Sequence, residues 1–144
     1  MTTSKGRILG VDVGSKRVGL ARTDPMRTFA SPIGTFSPEA SFREIERQVL
    51  SEGPVIGIVV GWPLTPQGKK TTSTELVVQY INALRNKYKS IEIYKMDERY
   101  TSKDAMDILE ESGVSKKRRN QKGRLDQAAA ALILQQFIQA NPEL

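Results

Sequence analysis

The chain has 144 residues, of which 38% are hydrophobic and 26% are charged, a balance typical of one globular domain. Its formal net charge of +6 favours polyanionic partners, and it contains neither cysteine nor histidine. Disulfides, thiolate catalysis, zinc sites of the Cys/His type and a Ser-His-Asp triad are therefore excluded. Carboxylates that hold a hard cation are the main tool left for hydrolysis.

Targeting and membrane signals are lacking in the sequence. The first residues, MTTSKGRILG, have no signal-peptide core, and no apolar run approaches the roughly 18 residues that span a membrane. We therefore expect a cytoplasmic protein that makes no membrane contact.

Three strands are predicted in the first 36 residues. Residues 7–13 are rich in β-branched and aliphatic side chains, and a second apolar-rich run follows over 17–24. The short Gly14-Ser15-Lys16 link between them is typical of a hairpin. A third strand is predicted over 28–36, where Pro32 suits an edge position. Together these segments predict an antiparallel meander.

Helices and strands then alternate. The predicted elements are a helix over 39–52, a strand over 54–63, a helix over 74–88 with a Thr72–Glu75 capping box, a strand over 91–96, and helices over 101–111 and 125–140. The order βββαβαβαα predicts an α/β fold with a mixed five-stranded sheet: three antiparallel strands, then parallel βαβ units, with flanking helices. We expect a single domain over residues 1–144.

Basic residues are concentrated before the last helix. The segment SKKRRNQKGR, residues 115–124, holds six of the 22 basic residues of the chain and no acidic residue. Such a segment can bind the phosphates of a nucleic acid, although many basic runs are only solvated surface.

Asp12 interrupts an apolar run in the stretch ILGVDVG. Strand alternation places it on the same face as Ile8 and Gly10. A lone buried carboxylate is unfavourable unless it is paired or binds a metal, whereas a strand-end carboxylate turned to solvent is the alternative. Because this strand leads into parallel units covered on both faces, the pattern favours a functional carboxylate.

A second acidic site follows the strand predicted over 91–96, in KMDERYTS. Asp97, Glu98 and Arg99 come at its carboxyl end, which is where open α/β sheets bind ligands. A solvated turn between a strand and a helix is the common alternative for such a triplet.

Asp126 is the third acidic residue of interest. It shares one stripe of the last helix with Ala130, Ile133 and Phe137, and that stripe is otherwise apolar. An acid near a helix N-terminus, favoured by the helix dipole, is the competing explanation. The small residues from Ala128 to Ala131 allow this helix to approach the sheet closely, which would bring Asp126 toward the strand ends.

The three acidic sites are expected to meet at one edge of the sheet. Such a group suits Mg²⁺ or Mn²⁺, and two ions about 4 Å apart can activate a water and stabilise the leaving oxygen of a phosphodiester.

Four segments together resemble a known family: ILGVDVGSKRVGLARTD, IVVGWPL, MDERYTS and GRLDQAAAALILQQF. They are similar, in the same order, to the YqgF/RuvX family of pre-16S rRNA nucleases, RNase H-like proteins related to the RuvC Holliday junction resolvases. The resemblance covers nearly the whole chain. It implies an RNase H-like fold and a metal-dependent nuclease that trims the small-subunit ribosomal RNA precursor.

The resemblance also implies site residues. The implied catalytic and metal-binding residues are Asp12, Glu98 and Asp126, and the supporting residues are Gly14, Gly61, Pro63 and Thr101. The residues expected to contact nucleic acid are Lys16, Arg17, Lys69, Lys70, Arg99, Lys117, Arg118, Arg119 and Arg124.

Two departures from the family pattern matter. The run TPQGKK is more basic than the Asn and acidic-Gly pair usual after this strand. Trp62 stands where an aliphatic residue is common; it could stack a base, but a packed or half-buried tryptophan is the favoured interpretation.

Other functions stay open on the sequence. The substrate is expected to be structured RNA, with branched DNA as the alternative for a junction-resolving nuclease, and the protein to act as a monomer or a homodimer. A nucleic-acid-binding module with vestigial acids belongs to another class. A sugar-kinase or actin-like nucleotide binder fits less well, because that fold normally needs two such domains.

Overall fold

The computed structural model describes residues 6–63, 72–97 and 122–144, with the backbone alone described for Thr72 and residues 122–126. The strands are β1 (Arg7–Val13), β2 (Val18–Thr23), β3 (Ala30–Phe36), β4 (Val55–Trp62) and β5 (Glu92–Asp97). The helices are α1 (Pro38–Ser51), α2 (Thr72–Lys87) and α3 (Lys122–Ala140). None of these helices is both long enough and apolar enough to cross a bilayer.

The strands form one mixed five-stranded sheet in the order β3-β2-β1-β4-β5. β1 pairs antiparallel with β2, and β2 pairs antiparallel with β3, which is the predicted meander. β4 and β5 are added in parallel on the other side of β1. The predicted mixed sheet is therefore confirmed, and Pro32 lies in an edge strand as expected.

Helices cover both faces of the sheet. One core contains Leu9 and Val11 of β1 together with side chains of α1 and α2. The other contains Ile8 of β1 and Val59 of β4, packed against α3. Because successive strand residues point to opposite faces, β1 and β4 need apolar residues at nearly every position, which is why both read as continuous apolar runs.

Helix α1 begins with a strong local signal. Ser37 is its N-cap and accepts a hydrogen bond from the backbone N–H of Ala40, while Pro38 occupies the first turn. The Ser41 hydroxyl then contacts the Tyr80 hydroxyl of α2 at 2.8 Å, so a buried polar contact joins the two helices on this face.

The last helix begins earlier than predicted. α3 starts at Lys122 instead of 125, so Arg124 belongs to the helix and not to the preceding loop. Asp126 is consequently the fifth residue of α3, beyond its first turn, and the helix-dipole explanation for it loses force because that effect fades within one turn. The helix predicted over 101–111 lies outside the described residues.

Candidate active site

Asp12 lies at the carboxyl end of β1, one residue before the strand ends. Its side chain is half-buried and, by alternation with Ile8 and Gly10, belongs to the face that α3 covers. Its partner on β2 is Gly19. On the other side Val11 pairs with Val60, so Gly61 comes level with Asp12. Both flanking strands therefore present a glycine beside this carboxylate, and neither covers it with a side chain at that level.

The hairpin after β1 fixes the backbone next to Asp12. The N–H of Gly14 donates to the carbonyl of Arg17 at 2.9 Å, and Val13 pairs with Val18. A Cβ at position 14 would lie 2.8 Å from that carbonyl oxygen, so only glycine fits there without a backbone shift. Lys16 is exposed at the tip of this loop and Arg17 is half-buried, which keeps both basic residues close to Asp12 in the chain.

The end of β4 is fixed to α2 by a residue that the sequence analysis did not single out. The hydroxyl of Thr74, which is buried, donates to the carbonyl of Pro63 at 2.8 Å. This bond holds the Gly61–Pro63 turn against the first turn of α2. A threonine in the first turn of a helix is commonly a capping residue. The residue type therefore does not predict this hydrogen bond to Pro63, eleven residues earlier in the chain.

The carboxylate at the end of β5 belongs to a different face of the sheet from that of Asp12. Asp97 is the last residue of β5 and pairs with Trp62. By alternation it belongs with Ile93, which packs into the core under α1 and α2, and not with the face of Asp12. Asp97 therefore lies at the predicted sheet edge but on the opposite face from Asp12.

The direction of α3 follows from two contacts with the sheet. The side-chain carbonyl of Gln135 accepts from the N–H of Ala30 at 3.2 Å. Ala30 pairs with Thr23, and the Thr23 hydroxyl accepts from the N–H of Ile8, so Gln135 lies near the beginning of β1.

Nearer the middle of β1, α3 packs closely on Gly10. A Cβ at Gly10 would lie only 2.8 Å from the carbonyl oxygen of Ala130 and 2.9 Å from the Cβ of Leu134. Helix α3 thus runs antiparallel to β1. Its first turns lie toward the carboxyl end of the strand, and the backbone of Asp126 comes one turn before Ala130.

Several predicted site residues lie outside the described part of the chain. They are Lys69, Lys70, Glu98, Arg99, Thr101, Lys117, Arg118 and Arg119, and for Arg124 and Asp126 the backbone alone is described. Among the side chains that are described, no group of three acidic residues is close enough to hold a metal ion. Of the three predicted ligands, Asp12 is the one whose side chain lies within the described part of the chain.

Trp62 is half-buried and packs against the core under α1 and α2, as the favoured interpretation expected. The ammonium of Lys95 lies over its ring, 4.3 Å from the ring centroid.

Two relatives match nearly the whole chain, and both carry the name "Putative pre-16S rRNA nuclease". A protein of Salinibacter ruber is 46% identical over 136 residues, which is 94% of each chain. A protein of Chlorobium luteolum is 41% identical over 138 residues, covering 95% of this chain and 96% of its own.

Solved structures show the same fold at low sequence identity. Fowlpox virus resolvase, in complex with Holliday junction DNA, is 16% identical with a TM-score of 0.55, over 93% of this chain and 97% of its own. Thermus thermophilus RuvC with a Holliday junction substrate is 13% identical with a TM-score of 0.53, over 94% and 95%. The expected RNase H-like fold is thereby confirmed.

The family profile described as "RuvX: Holliday junction resolvase" matches residues 6–140. Taken with the two relatives at 46% and 41% identity, this match shows that the chain belongs to the RuvX family.

Proposed function

We propose that this protein is a metal-dependent nuclease that hydrolyses phosphodiester bonds in the precursor of 16S ribosomal RNA, as one domain over residues 1–144. The position of Asp12 carries the proposal: a half-buried carboxylate at the carboxyl end of β1, on the face of α3 and toward the first turns of that helix. The names of the S. ruber and C. luteolum relatives support the reaction and the substrate.

The chemistry of the available ligands fits a hard divalent cation. With no cysteine or histidine in the chain, oxygen atoms are the ligands that remain, and Mg²⁺ and Mn²⁺ prefer carboxylate oxygen. Asp12, Glu98 and Asp126 would hold the metal. When bound, one or two such ions would make a water more acidic and stabilise the charge on the phosphate.

The chain itself contributes position and charge. β1 and its hairpin fix Asp12, while the close contact of Gly10 with α3 fixes the helix that carries Asp126. Of the two acids after Met96, we favour Glu98 as the third ligand, because Asp97 belongs to the opposite face. Lys16 and Arg17 on the hairpin, together with the basic residues predicted from the sequence, would bind backbone phosphates.

A junction-resolving nuclease that acts on four-way DNA is the second candidate. The family description and the two DNA-bound structures that share the fold favour it. Both candidate functions would use the same carboxylates, so substitution of those residues cannot distinguish them. Comparison of the two substrates can.

Cleavage of two substrates, assayed side by side, tests the proposal. With Mg²⁺ or Mn²⁺ we expect the protein to cut a labelled 16S rRNA precursor faster than a four-way DNA junction. The opposite preference would favour the second candidate. No cleavage of either substrate, with tight binding retained, would indicate a binding module with vestigial acids.

The Asp12→Asn variant tests the site itself. We expect cleavage to fall by about a thousandfold or more, because a metal ligand is lost, while circular dichroism and RNA affinity change little. Asp97→Asn is the matched control, since it removes the same charge from the same sheet edge but from the opposite face, and it should keep most of the activity. If Asp12→Asn cleaves like the parent protein, Asp12 is not part of the site.

A further inference from the structure

Arg17, at the end of the hairpin after β1, belongs to the same face of the sheet as Asp12. Asp12 pairs with Gly19. The Gly14 N–H donates to the Arg17 carbonyl at 2.9 Å, which continues the same register around the hairpin and places Arg17 opposite Gly14. Val18 packs into the core under α1 and α2, so alternation assigns Arg17, one residue earlier, to the other face. That face is the one of Asp12 and α3.

The exposure of the hairpin residues agrees with this placement. Ser15 and Lys16 are exposed at the tip of the loop, whereas Arg17 is half-buried. On the side of α1 and α2, the hairpin lines a cleft through Gly14 and Ser15, beside Phe42, and Arg17 is not among the residues that line it. Arg17 is therefore shielded from solvent on the α3 side of the hairpin.

No side chain of the hairpin separates Asp12 from Arg17. The two residues are diagonal neighbours on adjacent antiparallel strands, and such neighbours lie about 7–8 Å apart, within the reach of a long side chain. The other two corners of this square are Gly14 and Gly19, which have no side chains. A phosphate group beside Asp12 is therefore within reach of the Arg17 guanidinium.

The neighbouring strands supply no second charge at this level. Level with Asp12 on its face are four uncharged residues of the other strands: Gly19, Thr35, Gly61 and Met96. Among the strand and hairpin residues that the structure describes, Arg17 is thus the positive charge closest to Asp12 on this face. Arginine binds phosphate with two parallel N–H bonds, whereas lysine offers a single point charge.

We propose that Arg17 binds the phosphate that is cut and stabilises its charge during hydrolysis, an inference that rests on the proposed function. In that reaction a bond forms from the water oxygen to phosphorus, and the bond from phosphorus to one sugar oxygen breaks. The water supplies the hydroxyl of the new terminal phosphate and the proton of the leaving oxygen. Arg17 keeps its own protons and donates to the two non-bridging oxygens, whose negative charge must be held throughout.

Binding without cleavage tests whether Arg17 and Asp12 face one phosphate. The affinity of a fluorescein-labelled hairpin RNA is measured in a chelator, and a gel checks that the RNA stays intact. We expect Arg17→Ala to weaken binding about threefold in the parent protein and about tenfold in the Asp12→Asn background, because the Asp12 carboxylate competes with the phosphate for the guanidinium. Independent sites would give the same loss in both backgrounds, within about twofold.

The rate of cleavage tests the role of Arg17 in the reaction. It is measured with Mg²⁺ in single turnovers at saturating protein, so that weaker binding does not enter. Arg17→Ala should slow this step about a hundredfold. Arg17→Lys should fall between that variant and the parent, because it keeps the charge but loses the paired N–H bonds, and it carries the test if circular dichroism shows that Arg17→Ala is unfolded.

Arg43→Ala is the matched control for both measurements. It removes an exposed arginine from α1, which covers the opposite face of the sheet. We expect the Asp12→Asn background to leave its effect on RNA affinity unchanged, and its rate at saturation to match that of the parent protein.

Two results would overturn the inference. Equal losses of affinity for Arg17→Ala with and without Asp12→Asn would mean that the two side chains do not face one phosphate. A rate for Arg17→Ala at saturation equal to that of the parent would mean that Arg17 adds affinity alone. If the parent protein cleaves neither substrate, the proposed nuclease function fails and the role of Arg17 in the reaction fails with it. The affinities in chelator then still decide whether Arg17 and Asp12 share a phosphate.

Discussion

Gly10 determines how closely α3 approaches β1, and through that contact it bears on the candidate site. A Cβ at this position would lie 2.8 Å from the carbonyl oxygen of Ala130 and 2.9 Å from the Cβ of Leu134. Both obstacles belong to a buried helix, so neither can move without moving the helix. A glycine in a strand interior normally weakens the strand, and here its missing side chain is what lets α3 pack.

Gly10→Ala should therefore destabilise the protein. The overlap requires α3 to shift outward, which we expect to lower the free energy of unfolding by about 1–3 kcal/mol. The measurement is urea unfolding followed by circular dichroism. If α3 carries Asp126 to the site, cleavage by the folded variant should fall as well.

Gly34→Ala is the matched control for that substitution. A Cβ at Gly34 would lie 3.2 Å from the outer end of the Phe36 ring, which can rotate away, so this change should cost less than about 1 kcal/mol. Equal losses in the two variants would mean that the close contact of α3 is not what makes Gly10 necessary.

At the scale of elements, a hydrogen bond between two hydroxyl groups joins α1 and α2, and a neighbouring hydrogen bond identifies its donor. The Ser41 hydroxyl donates to the carbonyl of Pro38 at 2.6 Å, which uses its one proton. The 2.8 Å contact between the Ser41 and Tyr80 hydroxyls must then have Tyr80 as the donor. Tyr80 also stacks on Phe42, with ring centroids 4.4 Å apart.

Because Tyr80 is the donor, we expect unequal losses of stability when the Ser41 hydroxyl and the Tyr80 hydroxyl are removed one at a time. Ser41→Ala leaves the buried Tyr80 hydroxyl without its acceptor and should lower the free energy of unfolding by about 1–3 kcal/mol. Tyr80→Phe leaves Ser41 bonded to Pro38 and should cost about 1 kcal/mol or less. Denaturant titration of both variants measures the difference, and a larger loss for Tyr80→Phe would reverse the assigned direction.

Elements could be predicted from the sequence wherever the signal is local. The alternation that puts Asp12 with Ile8 and Gly10 is a property of one strand, and the two cores confirm it. The glycine opposite Asp12 could not be predicted, because Gly19 depends on the hairpin register set by the Gly14–Arg17 bond. The face of Asp97 was not evident either, because the strand was predicted to end one residue earlier.

Contacts between distant segments set the rest of the site. The direction of α3 depends on the bond from Ala30 to Gln135, whose residues are 105 positions apart. The Trp62–Lys95 pair depends on the parallel register of β4 and β5, which no local pattern specifies. The sequence thus offers candidates for the residues that bear the chemistry, but it does not predict how the strands and α3 are aligned.

At the scale of the whole molecule, stability at acid pH depends on carboxyl groups whose pKa is lowered in the folded protein. Three of them lie in the described part of the chain. The hydrogen bond from Arg47 lowers the pKa of Glu44, and the hydrogen bond from Arg22 lowers that of Glu52. Burial raises the pKa of Asp24, but the backbone N–H groups of Phe29, Thr28 and Met26 outweigh it and lower the pKa overall. Glu52 follows the end of α1 and Asp24 lies in the turn after β2, both at the edge of the sheet opposite the candidate site.

The sign of the pH dependence follows from those directions. A carboxyl group with a lowered pKa in the folded state stabilises the protein above its unfolded pKa, about 4.3 for glutamate and 3.9 for aspartate. That stability is lost as the pH falls through the lower folded pKa. With no histidine in the chain, no side chain of ordinary pKa titrates between about pH 5 and 8.

We therefore expect the urea midpoint of the metal-free protein to be nearly constant from about pH 8 to about pH 6, and to fall steeply below about pH 4. The Arg22→Met variant removes the partner that lowers the pKa of Glu52, so its acid loss should be shallower than that of the parent protein. A midpoint that rises as the pH falls from 8 to 6 would require a carboxylate whose pKa is strongly raised in the folded state, because protonation would then stabilise the folded protein. In a chain without histidine, the crowded acids proposed at the carboxyl end of β1 are the group we would examine first, because like charges held close together raise a carboxyl pKa.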